Sequence, residues 1–167
     1  VVHELAHHCF GDYFTCGNWQ NILINEGFAS YMEYITLEHL MGREFAFEWM
    51  EQAMSIALSE NDGSVYVPSE DVEDPYRLFS FPLSYKKGAI LLHIIRYELN
   101  NDDLFFEVLR TYLQKYANSL ATAEDFRKIL EEVSGTDFSC FFEQWYYGKG
   151  YPNFSITWYK QDDTLFI

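Results

Sequence analysis

Two histidines four residues apart, followed at a set distance by a glutamate, constrain the fold of this chain more than any other feature. His3-Glu4-Leu-Ala-His7 opens the sequence, and eighteen residues separate His7 from Glu26. On a helix of about 3.6 residues per turn, residues four apart lie about 40° from each other around the axis, so His3 and His7 share a face. Eighteen residues hold a turn and the start of a second helix. The spacing therefore predicts two packed helices that bring Glu26 back to both histidines.

The same residues predict a catalytic zinc site. Two imidazoles and one carboxylate are zinc ligands, and three protein ligands leave a fourth position open, as in catalytic rather than structural sites. Glu4 lies beside the histidines, where it can hold and deprotonate a water molecule. The surrounding segment is largely apolar, which predicts a buried helix over about residues 1–14 with Cys9 as a small core residue. Buried polar side chains need partners, and one Zn²⁺ ion supplies them.

Glu33 is a candidate for orienting a histidine ligand. It follows Glu26 by seven residues, which is two helical turns, so both lie on the same face. A metal-bound histidine usually donates its other N–H to an acceptor, often a carboxylate. A solvated helix residue is an equally good interpretation of Glu33. The remaining histidines are left out of the site: His8, His39 and His93.

Three separate motifs resemble one peptidase family. Residues 3–34, HELAHHCFGDYFTCGNWQNILINEGFASYMEY, are similar to the gluzincin zinc aminopeptidases of the aminopeptidase N and leukotriene hydrolase type. Tyr-Lys-Lys-Gly at residues 85–88 is similar to the family's Tyr-x-Lys-Gly segment, and Gly-Tyr-Pro at residues 150–152 resembles the end of its catalytic domain. Two departures, Cys9 in place of Trp and His8 in place of Gln or Glu, affect neither a ligand nor the base.

The resemblance implies a mainly α fold: the helical, C-terminal subdomain of a thermolysin-like zinc peptidase catalytic domain, with a short β tail. Residues 1–152 are expected to form the helical part, and residues 153–167 the first strand or strands of a following β-domain. One Zn²⁺ ion is expected on His3, His7 and Glu26, with Glu4 as general base. Tyr85 is expected to stabilise the transition state, although without the resemblance a core aromatic would be the better interpretation.

The implied activity is that of a zinc-dependent aminopeptidase, a hydrolase that cleaves the N-terminal peptide bond of peptide substrates. One alternative is a zinc endopeptidase of the thermolysin-like type, which shares HExxH and a later Glu but not the Tyr-x-Lys-Gly pattern. Another is a catalytically inactive relative that serves as a binding scaffold, although such relatives lose ligands or the base. Epoxide hydrolysis, as in leukotriene hydrolase, is compatible with the resemblance, but no residue selects for it.

Some positions near the motifs stay undecided in the sequence. Asn25 can orient the backbone or touch substrate. Lys86 and Lys87 can lie near substrate or on an ordinary helix surface. The family's Gly-x-Met-x-Asn segment, which contributes to substrate binding, is not in this chain, so the substrate-binding residues are unknown.

Composition limits the class of partner. The 167 residues are enough for one domain with a real core. The formal net charge of −15 argues against nucleic acid, whose binding relies on Lys and Arg. No apolar run is long enough to span a bilayer. Three cysteines form no disulfide framework, which leaves the compartment open.

The start of the chain suggests an excised piece of a larger protein. It begins at Val1, without Met and within the helix that carries the histidines. We expect it to dock on missing flanking domains, and the aromatic fraction of 19% is consistent with surfaces that line a cleft or such an interface. We also expect weakened zinc binding and little turnover from the piece alone, since His3 lies two residues from the start and can fray.

The remaining pattern predicts mostly helices. They are expected over about residues 19–41, 43–59, 84–100, 102–117, 123–134 and 137–147, with Thr122 as an N-cap. Residues 60–83 contain Pro68, Pro75 and Pro82 and cannot form one helix. Alternation over residues 153–159 predicts a strand, followed by a turn near Asp162.

Overall fold

The computed structural model describes residues 1–166 and shows a mainly α fold with short strands. Eight α-helices lie in this range: α1 (Val2–Ala6), α2 (Leu23–Met41), α3 (Arg43–Ala57), α4 (Pro75–Leu78), α5 (Gly88–Leu99), α6 (Asp102–Lys115), α7 (Ala123–Ser134) and α8 (Ser139–Phe142). Two π-helical segments, Phe81–Lys87 and Glu143–Tyr147, run into α5 and follow α8. Four strands form two small sheets: β1 (Thr15–Cys16) with β2 (Leu120–Ala121), and β3 (Tyr159–Gln161) with β4 (Thr164–Phe166).

The ends of the long helices follow the local chemistry of the sequence. Gly42 ends α2 with φ at +92°, a conformation that side chains disfavour. The Thr122 and Asp125 side chains form a capping box at the start of α7. Gly135 ends that helix in the left-handed region with φ at +70°. The predicted helices from α2 onward are confirmed, with boundaries that move by a few residues.

An aromatic core joins α2 to α6 and α7. The Phe28 ring lies 5.0 Å from that of Phe126, which in turn lies 5.2 Å from Tyr112, both in edge-to-face arrangements. All three side chains are fully buried. Such pairs add to the free energy already gained by burying their area, so the N-terminal half of α2 is held from several sides.

Helix α2 also packs closely against α5 at two glycines. A Cβ on Gly27 would lie 2.4 Å from Leu23 Cδ1 and 3.2 Å from the Cα of Gly88. The two backbones therefore approach at a point where a side chain would force them apart. This contact fixes the start of α5, and with it the segment that contains Tyr85, against the helix that carries Glu26.

The prediction of a long buried first helix is wrong. Helix α1 has five residues and none of them is buried. Leu5 is 65% exposed and Cys9 is exposed, so Cys9 is not a core residue. The chain turns at Gly11, whose φ is +151°, and the apolar residues that enter the core are Phe10 and Phe14 beyond the helix. Apolar content predicted burial of this segment but not which residues are buried.

The irregular stretch before Tyr85 is tied to the rest of the fold by polar contacts. Arg77 Nη2 donates to the carbonyl oxygens of Ser64 at 2.7 Å and Tyr66 at 2.9 Å. Asp74 caps α4, and Ser80 caps the π-helical segment that follows. This stretch leads into the π-helical turn that presents Tyr85.

The strands differ from the prediction. The parallel pair β1–β2, which joins the loop after α1 to the loop before α7, was not predicted. In the tail, β3 begins only at Tyr159 and pairs antiparallel with β4 around Asp162, whose φ is +54°. The predicted strand over residues 153–159 is therefore wrong except for its last residue, because a strand needs a hydrogen-bonded partner that alternation alone does not supply. The division into a helical part, residues 1–152, and the start of a β-domain, residues 153–167, stays a prediction. The last residue of the second part, Ile167, lies outside the described residues.

Within residues 1–166, every helix is too short or too polar to cross a bilayer.

Candidate metal centre

The two histidines of the opening motif lie on one face of α1. His3 is within the helix, and His7 is its C-terminal capping residue with helical geometry at φ −61°. Their ring centroids are 4.8 Å apart, with the rings nearly perpendicular. The four-residue spacing therefore brings both imidazoles to the same place, as the sequence predicts.

Glu26 meets both histidines from the first turn of α2. Its Oε2 atom lies 3.1 Å from His3 Nε2 and 3.5 Å from His7 Nε2. One donor atom from each of the three residues lies within 4.8 Å of the other two. Zinc bonds of about 2.0–2.1 Å in a tetrahedron place neighbouring donors about 3.3 Å apart. The observed Glu26 distances lie on either side of that value, so the three residues fit a zinc ion.

The other ring nitrogen of each histidine is held by an acceptor. His3 Nδ1 lies 3.0 Å from Glu33 Oε1, and His7 Nδ1 lies 3.0 Å from the carbonyl oxygen of Phe10. A carboxylate and a carbonyl only accept, so both Nδ1 atoms donate their hydrogen. Both Nε2 atoms then point toward Glu26. This is the arrangement in which outer partners fix the tautomer and orientation of histidine ligands.

Glu33 is where the sequence hypothesis put it, two turns after Glu26 and against His3. Its second oxygen, Oε2, accepts a hydrogen bond from Trp49 Nε1 at 2.9 Å and lies 3.6 Å from Lys86 Nζ. Burial opposes ionisation of this carboxyl, but the hydrogen bond from His3, the Lys86 charge and the Trp49 hydrogen bond outweigh it, so the pKa of Glu33 is lowered. Glu33 is therefore a carboxylate with three partners and not a solvated residue.

The potential at the site favours positive charge. Hydrogen bonds with Glu26 and then with Glu33 raise the pKa of His3 to about 9, against the opposing effect of burial. A pair of carboxylates that stabilises a proton this strongly also favours a cation that replaces the proton. The electrostatics and the donor distances both suit a bound cation.

Tyr85 lies over the site from the π-helical segment Phe81–Lys87. Its ring stacks on that of His3 at 5.6 Å between centroids and 20° between planes. Burial, together with the nearby Glu26 and Glu4 carboxylates, raises the pKa of Tyr85 to about 12. The phenol therefore keeps its hydrogen at neutral pH and can donate it in a hydrogen bond.

A cavity of about 320 Å³ unites the predicted residues. Its lining consists of His3, Glu4, His7, Glu26, Ser30, Glu33, Phe81 and Tyr85. Glu4, which follows His3 in the sequence motif, is exposed and contributes to this lining. The proposed ligands, the proposed base, Glu33 and Tyr85 all contribute to this one cavity.

The undecided residues have clear places. Asn25 Oδ1 accepts from the Cys16 backbone N–H at 3.2 Å and its Nδ2 donates to Thr15 Oγ1 at 3.1 Å, so Asn25 fastens β1 to α2. Lys87 Nζ donates to the carbonyl oxygens of Gly63 at 2.7 Å and Gly150 at 2.8 Å. Neither side chain lines the cavity. They hold the scaffold around it.

The other histidines lie outside the site. His8 faces Asp12 at 3.4 Å on the surface, and His93 shares a hydrogen bond of 3.1 Å with Tyr31. Trp49 and Lys86 are the site-facing residues that sequence reasoning missed as partners of Glu33. A single sequence does not show which helices pack against each other. It therefore contains no indication that Trp49 on α3 contacts Glu33 on α2.

The helical fold brings together two imidazoles and one carboxylate, a donor set that can hold one metal ion. The chain belongs to Peptidase family M1, since the model of the Peptidase family M1 domain matches residues 1–145.

Curated relatives carry aminopeptidase names. The aminopeptidase N of Lactococcus lactis subsp. lactis is 32% identical over 173 residues, which cover 100% of this chain and 20% of that protein. Aminopeptidase 2, mitochondrial, of Saccharomyces cerevisiae is 28% identical over 162 residues, covering 94% of this chain and 17% of that protein. The chain thus spans about a fifth of the length of the curated relatives it matches.

Solved structures share the fold. Yeast LTA4 hydrolase in complex with bestatin superposes with a TM-score of 0.80 at 25% identity, covering 92% of this chain and 26% of that one. An M1 zinc metallopeptidase from Deinococcus radiodurans, solved with a Tyr-Ser-Ala substrate, gives a TM-score of 0.75 at 22% identity, covering 91% and 33%. The fold is therefore that of the helical subdomain of M1 peptidases.

Proposed function

We propose that this chain carries the catalytic centre of a zinc-dependent aminopeptidase, which hydrolyses the N-terminal peptide bond of peptide substrates. One observation carries the proposal: the donor set of His3, His7 and Glu26 shares a single cavity with Glu4 and Tyr85. Family membership and the aminopeptidase names of the relatives support the same reaction.

We assign the metal ligands and their orientation to specific atoms. His3 Nε2, His7 Nε2 and a Glu26 oxygen would hold one Zn²⁺ ion, while Glu33 and the Phe10 carbonyl hold the opposite edges of the two rings. When bound, the zinc supplies a Lewis acid that polarises the scissile carbonyl and acidifies the attacking water. The chain's own residues supply the remaining steps.

Glu4 acts as the general base and then as the acid. It takes a proton from the attacking water and passes it to the leaving amine. Its exposed position in the cavity leaves the carboxylate accessible to water and substrate. Tyr85 keeps its hydrogen at neutral pH and donates it to the oxyanion that develops on the scissile carbonyl.

The test uses the full-length protein that contains this chain. Aminoacyl chromogenic amides and N-blocked peptides are assayed with and without a chelator, alongside Glu4→Gln. We expect cleavage of the free-amine substrates, loss of activity with the chelator and recovery with zinc. Cleavage of N-blocked peptides alone would contradict the exopeptidase assignment and favour a thermolysin-like endopeptidase. Zinc binding without any hydrolysis would favour an inactive binding relative.

We further propose that the chain docks on flanking domains of a longer protein, with residues 1–152 as the helical part of the catalytic domain and 153–167 as the start of a β-domain. Large apolar side chains at the end of α2, on α3 and at its C-cap are exposed: Leu40, Met41, Phe45, Phe47, Met54 and Leu58. Patches of this kind commonly mark interfaces. Protection of α3 from hydrogen exchange in the full-length protein, but not in the 167-residue piece, would support the proposal.

We also infer that the 167-residue piece alone turns over poorly and holds zinc weakly. Its site has the proposed ligands and base, but α1 contains no buried residue to hold two of the ligands in place. Robust aminopeptidase turnover by the piece, or a stoichiometric zinc ion that resists a chelator, would contradict this.

A further inference from the structure

Two adjacent lysines, Lys86 and Lys87, are both buried but point to different places. Lys87 holds two backbone carbonyls, those of Gly63 and Gly150, and so closes the scaffold. Lys86 instead faces the carboxylate of Glu33, with 3.6 Å between Nζ and Oε2. The scaffold contacts of this segment therefore do not require Lys86, and its contacts lead toward the metal centre.

Aromatic rings hold the Lys86 ammonium in place. The Nζ atom lies 4.3 Å from the centroid of the Trp49 ring and 5.0 Å from that of Phe81. Both distances are within the range of cation–π attraction, which is stronger where water is excluded. The Lys86 side chain is only 9% exposed. A long flexible side chain is thereby restricted to one position.

Trp49 contacts the same carboxylate oxygen as Lys86. Its indole N–H donates to Glu33 Oε2 at 2.9 Å, on the oxygen that Lys86 faces. The other oxygen, Oε1, is left to accept from His3 Nδ1 at 3.0 Å. Rotation of the carboxylate away from His3 would break the contacts at Oε2. The contacts at Oε2 therefore hold Oε1 in position to accept from His3.

We propose that Lys86 and Trp49 are positioning residues that clamp Oε2 of Glu33 and thereby fix the imidazole of His3 for metal binding. The inference rests on the proposed zinc centre and adds two residues that act on it through Glu33. Neither residue lines the cavity. Loss of an outer partner of a histidine ligand typically costs about 10–100-fold in metal affinity.

The test compares four variants of the full-length protein. Lys86→Met removes the charge, Lys86→Arg keeps it and can still stack on Trp49, and Trp49→Phe removes only the N–H donor. Lys115→Met is the control, because Lys115 forms an exposed ion pair with Glu132 far from the site in sequence. Zinc affinity is measured by competition with a chromogenic chelator, together with the Tm of the metal-free protein and kcat and KM at saturating zinc.

We expect Lys86→Met and Trp49→Phe to weaken zinc affinity by about tenfold, the lower end of the range for a direct partner of a ligand, because both act through Glu33. Lys86→Arg should restore affinity to within about threefold, Lys115→Met should have no effect, and KM should stay constant throughout. If Lys86→Met does not fold, Trp49→Phe alone decides, since it keeps an aromatic ring in place.

Wild-type zinc affinity in both Lys86→Met and Trp49→Phe would overturn the clamp while leaving the proposed function standing. The clamp would also be overturned if Lys86→Met lowered the Tm of the metal-free protein together with its zinc affinity and Lys86→Arg restored neither. Lys86 would then be a purely structural residue. Failure of the unaltered protein to bind zinc would overturn the proposed function and the clamp together.

Discussion

The two halves of the candidate site differ in how firmly they are held. Helix α1 has five residues, none of which is buried, and together with its capping residue His7 it supplies two proposed ligands and the base. Helix α2 supplies Glu26 and Glu33 from nineteen residues, nine of which are buried, including most of its N-terminal half. The proposed base and two of the proposed ligands thus lie on the weakly packed half. The strongly packed half holds Glu26 and Glu33 in fixed positions, against which the two histidines are aligned.

This difference has a physical reason. The buried face of α2 packs on the aromatic core and on α5, so its carboxylates cannot move without disturbing many contacts. The polar contacts of α1 with α2 run through His3 and His7. A bound metal ion would therefore act as the main link between the halves, and five predictions test this comparison.

The largest effect is expected when the base on the weakly packed half is removed. Glu4→Gln should lower kcat by about 10²–10⁴-fold, because the attacking water loses its proton acceptor. Zinc affinity and Tm should stay unchanged, since Glu4 is exposed and is not in the donor set. Steady-state kinetics and zinc titration of the full-length variant check both parts. A matching fall in zinc affinity would show that Glu4 is a ligand instead.

The converse change removes the ligand on the strongly packed half. Glu26→Gln should weaken zinc affinity by more than the roughly 10–100-fold expected for an outer partner. Helix α2 should keep its structure, because its core contacts are untouched, and far-UV circular dichroism should be that of the unaltered protein. Retention of tight zinc binding would remove Glu26 from the ligand set.

Zinc should stabilise the two halves unequally. At a zinc concentration of about 100 times Kd, opening of α1 should become about 100-fold rarer, because the link stabilises the closed state by about 2.7 kcal/mol. The amides of the buried part of α2 should change much less, since the core already protects them. Hydrogen exchange read by NMR or mass spectrometry measures this. Equal protection of α1 and α2 would contradict the comparison.

The packing of the strongly packed half can be disturbed where α2 contacts α5. Gly27→Ala should destabilise the fold by about 1–3 kcal/mol, because the new Cβ would lie 3.2 Å from the backbone of Gly88. His39→Ala, an exposed change on the same helix, is the control. Denaturant unfolding of both variants gives the free energies. A Gly27→Ala variant as stable as the control would show that α5 can shift without cost.

The smallest effect concerns the charge of His3. In chelator-treated protein its titration should occur near pH 9, and Glu33→Ala should move it back toward 6.5. Because the folded-state pKa is raised, the stability that these contacts give is fully present below about pH 6.5 and is lost as the pH rises through about 9. NMR titration of the His3 ring signals measures it. An ordinary pKa in unaltered protein would show that the two carboxylates do not act on this ring.

Much of the site was predictable from particular residues. The spacing of His3, His7 and Glu26 follows from helical geometry, and so does the position of Glu33 two turns beyond Glu26. Tyr85 could not be assigned from its own surroundings and needed the resemblance of the Tyr-x-Lys-Gly segment. Trp49 and Lys86 escaped prediction, because their roles depend on how α3 and the π-helical segment pack against α2.

The sequence by itself determined the long helices from α2 onward, the cap at Thr122, and the candidate donor set, since these depend on spacings within one or two turns or on the packing of two neighbouring helices. Tertiary structure alone decided that α1 lies on the surface, that β1 pairs with β2, and that Lys86 and Lys87 separate into different roles. These features depend on contacts between segments far apart in the chain. Local periodicity does not encode such contacts. An apolar helical face predicts that the face will be buried, but it does not predict which segment will pack on it.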